Sequence, residues 1–178
     1  MISTIKASFS RRRESPTILL LLLLMTSLQS KANDIQSFLQ KNFNEIPKTQ
    51  RIWIDKEKQN IITSQFNPSQ IKLSYRYWQK DDKTVWILDE IGKERNITTG
   101  IVTQNDAIIS VEVITYRESR GGQVQSKRFT NQYQRKELSS NLIKEIDSIS
   151  GATLSVNAIN NQVKLALYLN SQLHPVKL

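Results

Sequence analysis

Apolar positions along this chain change their spacing several times, and each change marks an element. In "DIQSFLQKNF" (34–43), Ile35, Phe38, Leu39 and Phe43 recur at helical intervals behind Asp34 as a candidate cap. A second short helix is expected over Lys56–Phe66, ended by Pro68, whose ring cannot continue it. Ile71–Gln79 then alternates, sending Leu73, Tyr75 and Tyr77 to one face and Arg76 and Trp78 to the other. Asp81-Asp82 signals a turn and Thr84–Leu88 a returning strand, so these two segments predict a hairpin. Ile97–Thr103 and Ala107–Tyr116 are β-branched strands on either side of Gln104-Asn105-Asp106, where Asn and Asp tolerate the positive φ of a tight hairpin. In the longer strand Ile109, Val111 and Val113 are expected on a packed face, with Ser110 and Glu112 on a wet one.

Gly121-Gly122 marks a further turn, and Phe129–Tyr133 reads as a short amphipathic segment. The strongest periodicity comes last. Val156, Ile159, Val163, Ala166 and Leu167 line one face of a helix running to about Leu173, with Asn160-Asn161-Gln162 as its polar side and Pro175 beyond its end. The predicted fold class is α+β: an antiparallel sheet packed against a long C-terminal helix, with short N-terminal helices.

Residues 1–32 stand apart as a signal peptide. Lys6 and Arg11-Arg12-Arg13 form its charged region, the run Ile18–Met25 its apolar core, and Ser30-Lys31-Ala32 a small-residue cleavage site before Asn33. The apolar stretch Ile18–Leu28 has 11 residues, including Thr26 and Ser27, whereas a membrane-spanning helix needs about 20. A Sec-type export signal is therefore expected, placing the protein in the periplasm; the alternative is a retained N-terminal anchor with the arginines on the cytoplasmic side. The expected division is a signal peptide over 1–32, an N-terminal helical segment over 33–70 and an α+β domain over 71–178.

Charge then changes the picture less than it first suggests. The chain carries a net +9, but the first 32 residues hold five of the Lys/Arg and one of the Asp/Glu, leaving +5. That excess suits a soluble protein meeting acidic partners and gives no case for nucleic acid. With no cysteine, the chain has no disulfide, no thiolate metal site and no lipidated cysteine. Its single histidine, His174, sits in the C-terminal tail, so histidine catalysis and histidine metal sites are not expected.

The richest chemistry lies in "IDSISGATLSV" (146–156), with Ser148, Ser150, Thr153 and Ser155 close to Asp147 and the small pair Gly151-Ala152. This stretch leads into the last helix, and a helix start offers unpaired N–H groups and partial positive charge to an anion. On spacing alone two readings stay open. Ser155 caps the helix and Gly151 makes a turn, or a phosphate rests against the amides of 151–155, with Gly151 and Ala152 small enough to admit it. No Walker loop and no Gly-x-Ser-x-Gly elbow is present.

Asp147-Ser148-Ile149-Ser150-Gly151-Ala152-Thr153 resembles the D-x-x-(S/T)-G-A-T pattern of the FMN-binding domain family, which includes the flavin subunits of the Rnf and Nqr electron-transport complexes and small stand-alone exported proteins. The resemblance extends over roughly 97–169. It implies that Thr153 is esterified to the phosphate of FMN by a flavin transferase of the ApbE type, which takes FMN from FAD with magnesium. Asp147, Ser150, Gly151 and Ala152 then form the recognised motif, with Ser155 and Glu118 as further cofactor-binding candidates. Where the Rnf and Nqr subunits carry E-x-P-G-L-G, this chain reads Glu118-Ser119-Arg120-Gly121-Gly122-Gln123, which places it with the stand-alone branch.

These readings imply an exported electron-transfer flavoprotein with FMN covalently held on Thr153. It would relay electrons from a membrane reductase or cytochrome, as a carrier more than an enzyme with its own substrate. The alternative is an envelope binding or structural module that keeps the fold without the flavin. "YRYW" (75–78) could stack on bases or on a flavin ring but reads more simply as a half-buried strand, and Trp53, Trp78 and Trp86 as core or cleft residues. Asp81-Asp82 and Asp89-Glu90 read as solvated turn carboxylates, not as a glycosidase pair.

Overall fold

Five strands follow one another across a single antiparallel sheet in sequence order: β1 (Gln50–Trp53), β2 (Ser74–Lys80), β3 (Lys83–Ile91), β4 (Asn96–Gln104) and β5 (Ala107–Thr115). The computed structural model describes residues 33–66, 68–138 and 141–173. The expected signal peptide, His174 and Pro175 lie outside the described residues, and the described residues from Asp34 onward form one compact unit. Helical residues 33–42 (α1) and helix α2 (Lys56–Phe66) precede the central strands, a short α3 (Lys127–Thr130) with flanking 3-10 turns follows β5, and α4 (Thr153–Leu173) is the last described element. The α+β expectation holds.

The two anticipated hairpins form. Asp81, Asn105 and Asp106 carry φ of 56°, 48° and 61°, the left-handed values their short polar side chains tolerate. α2 keeps its expected bounds, while α1 already includes Asp34, so that residue is not its cap. Strand β1 was not anticipated; it pairs with β2 through Gln50↔Tyr77 to Trp53↔Ser74 and gives an edge with little apolar content to signal it.

Both faces of the sheet are covered, one more fully than the other. Tyr75, Tyr77, Trp86, Leu88, Ile97 and Ile101 meet α4 in the main core. On the opposite face Trp78, Val85 and Val102 pack under Phe38, Leu39 and Phe43 from α1 and its end, while Ser110 and Glu112 of β5 stay partly exposed, as expected of the wetter face. Gly100 makes room for this layer, since a Cβ there would lie 2.5 Å from the Phe38 ring.

Three further expectations are corrected. Leu73 falls in a bend before β2 and is 81% exposed. In β5 the pairing skips Ile109 and Ile114, two β-bulges that reset the alternation, so Ile108 is fully buried while Ile109 is 43% exposed. Asn160 and Gln162 do not form a wet side of α4, as both are buried. The Tyr133 hydroxyl donates to Asn160 Oδ1 (2.7 Å), Thr99 donates to Gln162 Oε1 (2.6 Å), and Gln162 Nε2 donates to the carbonyls of Leu88 (3.1 Å) and Ile97 (2.8 Å). Burial raises the Tyr133 phenol far above its usual value, so it stays a neutral donor.

Candidate functional site around Thr153

The peptide enters α4 through a tight turn. The Ala152 N–H donates to the Ile149 carbonyl, and the Ala152 carbonyl accepts from Val156 N–H, both at 2.9 Å. Gly151 takes φ 78°, and a Cβ there would meet nothing within 4 Å, so its backbone and not its neighbours requires glycine. The helix begins at Thr153, which leaves the amides of Thr153, Leu154 and Ser155 ahead of the first i→i−4 bond. The proposed Ser155 cap is therefore corrected. Ser155 lies inside the first turn, buried, with Oγ 3.0 Å from the Tyr116 hydroxyl.

A second loop, 116–122, is latched onto this turn. The Tyr116 hydroxyl donates to the Arg120 carbonyl. Gly121, at φ 83°, sits so close to Ala152 that a Cβ would come 3.1 Å from the alanine methyl and 2.9 Å from Tyr116 Oη. Ala152 is 3% exposed, so its small size serves the packing of the two loops at the cleft floor.

Glu118 connects the latch to a third segment. Its Oε1 accepts the N–H groups of Lys93 (2.6 Å), Glu94 (2.8 Å) and Arg95 (2.9 Å), three successive amides in the β3–β4 turn. Partial burial alone would raise this carboxyl; the amide bonds and the Lys93 charge outweigh it and hold it below the usual glutamate value. Glu118 is thus an ionised structural acceptor at the cleft wall.

Together these segments form an open cleft of about 570 Å³, with Lys93 and residues 118–120 on one wall and 151–155 on the other. A neighbouring depression of about 540 Å³ is bordered by 119–123, Ser150 and Gly151. Thr153 is exposed in the first cleft beside Leu154, which is 51% exposed. Of the candidate residues, Gly151, Ala152, Thr153, Ser155 and Glu118 line this cleft and Ser150 lines the second. Asp147 lines neither; it is exposed, and its N–H donates to Gln132 Oε1 (2.9 Å). Lys93, Tyr116 and Arg120 were not anticipated as site residues, since nothing in their own spacing ties them to Thr153.

The other candidates fall elsewhere. Trp86 is fully buried, Trp78 lies beneath α1, Tyr75 and Tyr77 sit in the main core, and Trp53 is exposed at the β1 edge; none lines the cleft. Asp89-Glu90 belong to β3, not to a turn. Asp89 accepts from the Thr98 hydroxyl (2.6 Å), and the buried Glu90 accepts the amides of Ser69 (2.9 Å) and Ile91 (3.1 Å). Among the described residues no group of three His, Asp or Glu could hold a metal ion.

The family model of the FMN-binding domain matches residues 92–168, from the turn that Glu118 pins to the last buried turns of α4. Residues 92–168 thus match an FMN-binding domain. FMN is thus the supported cofactor, while no curated protein matches the chain. The cleft fits such a group on its own terms. It has room for a mononucleotide, and its polar wall carries the cations Lys93 and Arg120 beside helix-start amides. Its Leu154 offers apolar surface, as ligand sites usually combine apolar walls with a few placed polar groups.

Proposed function

We propose that this protein is a redox carrier holding FMN covalently on Thr153, exported to the periplasm by its N-terminal signal. The observation that carries the reading is the exposure of Thr153, the first residue of α4, inside a cleft with two cationic side chains. Attachment by a flavin transferase of the ApbE type balances simply. The Thr153 Oγ–H loses its proton, an Oγ–P bond forms to the FMN phosphorus of FAD, and the pyrophosphate bond breaks to release AMP.

Each residue near Thr153 has a part in this. The amides of the first helical turn face the phosphodiester, worth about 0.3–1 kcal/mol for a negative charge at an exposed helix start. Tyr116, Ser155 and Gly121 fix the wall opposite. Asp147, exposed and outside the cleft, is available to the transferase instead of the flavin. The bound flavin supplies two-electron uptake and one-electron release, and the protein positions and exposes it. A membrane reductase or cytochrome is the electron donor in this reading.

The test is intact mass after co-production with a flavin transferase and FAD. One FMN minus water on the peptide holding Thr153 is the expected result. An unmodified wild-type chain under conditions that load a known acceptor would favour the non-flavinylated module.

A further inference from the structure

We propose that Lys93 seats the FMN phosphate and that Glu118 is its positioning residue, fastening the β3–β4 turn so that Lys93 stays at the cleft. This rests on FMN occupying the Thr153 cleft but not on the covalent bond.

The geometry is specific. One carboxylate oxygen collecting three consecutive N–H groups leaves the 93–95 backbone little freedom, and bonds to a charged acceptor are about twice as strong as neutral ones. Gly92 belongs to the same device, since a Cβ there would lie 2.8 Å from Glu118 Oε1. Its N–H also donates to the Arg95 carbonyl (3.0 Å), closing the turn. Glu118 and Lys93 both line the cleft with Thr153. The carboxylate's charge is directed to amides, while the ion pair of the Lys93 ammonium among the described residues is an exposed one with Glu94 at 3.5 Å, a partner that an arriving phosphate can replace. Arg120, across the latch, supplies a second cation from a loop whose carbonyl is already fixed by Tyr116.

The experiment uses the full chain made without a transferase, titrated with FMN and separately with riboflavin, following flavin fluorescence. Lys93→Met is expected to weaken FMN binding by about tenfold, as for loss of one charge-assisted hydrogen bond, and to leave riboflavin unchanged. Glu118→Ala should weaken FMN comparably, Glu118→Gln should stay near wild type because its amide oxygen still accepts, and the Glu118→Ala/Lys93→Met double variant should add nothing further. Equal losses for FMN and riboflavin, additive losses, or wild-type binding by Lys93→Met would each overturn the proposal, as would a wild-type chain that binds neither. Should Glu118→Ala fail to fold, the Lys93→Met and Glu118→Gln titrations still decide it. The mass test of Thr153 is independent. An adduct with an unaffected Lys93→Met titration rejects this inference alone, and a phosphate-dependent titration without an adduct rejects the covalent reading alone.

Discussion

The two ends of α4 are built on opposite principles. From Asn160 to Asn170 the helix is enclosed, and its polar side chains are tied to the sheet: Gln162 to Thr99 and two strand carbonyls, Asn170 to the Thr103 hydroxyl (2.8 Å) and the Asp106 carboxylate (2.8 Å). From Thr153 to Leu154 the same helix is open, with side chains in the cleft. The difference teaches how a short motif can be both accessible and fixed. The buried end sets the helix in place through bonds that have no substitute once removed, and the exposed end inherits that placement.

The sharpest break in the comparison comes at the open end. Thr153→Val should abolish flavin attachment, read by intact mass, while thermal stability stays within about 0.5 kcal/mol because the residue is exposed. At the closed end the effects should invert. Gln162→Ala leaves the Thr99 hydroxyl and two strand carbonyls without their partner and should cost about 3 kcal/mol in urea unfolding, given roughly 1–3 for each buried group left unsatisfied. Between the ends the two left-handed glycines should separate. Gly121→Ala meets both backbone strain and the Ala152 wall and should cost about 2–3 kcal/mol, against about 1–2 for Gly151→Ala, where strain acts alone. A reversed order would show that the latch yields more easily than its spacing implies.

The smallest effect is a pH dependence at the cleft wall. Glu118 has a folded-state pKa below its ordinary value of 4.5. Its contribution to stability is therefore full above 4.5 and fades as pH falls through the lower folded value. Wild type should lose stability in that acid range more steeply than Glu118→Gln, measured by urea midpoints across pH.

Much of this was written locally. Period-two and period-3.6 spacing located four of the five strands, α2 and α4, because burial of one face imposes those periods directly. The Asp and Asn turns were legible because few residues accept positive φ. The turn ahead of α4 was legible too, since Gly151 stands just before the periodic face and takes the left-handed φ its backbone needs.

What only the tertiary structure decided was which residues face one another across distant sequence. Periodicity treats Asn160 and Gln162 as a wet face, because it cannot know that hydroxyls and carbonyls from β3, β4 and the 131–133 turn wait to bond them. Alternation misplaces Ile109, because a bulge is a property of a strand pair and not of one strand. Glu118, Lys93 and Thr153 lie far apart in the chain, and the carboxylate reaches the turn amides only once β4 and β5 have paired. The sequence by itself determined most of the elements and pointed to Thr153; the folded sheet chose the side chains around it, since hydrogen bonds between remote segments exist only after those segments meet.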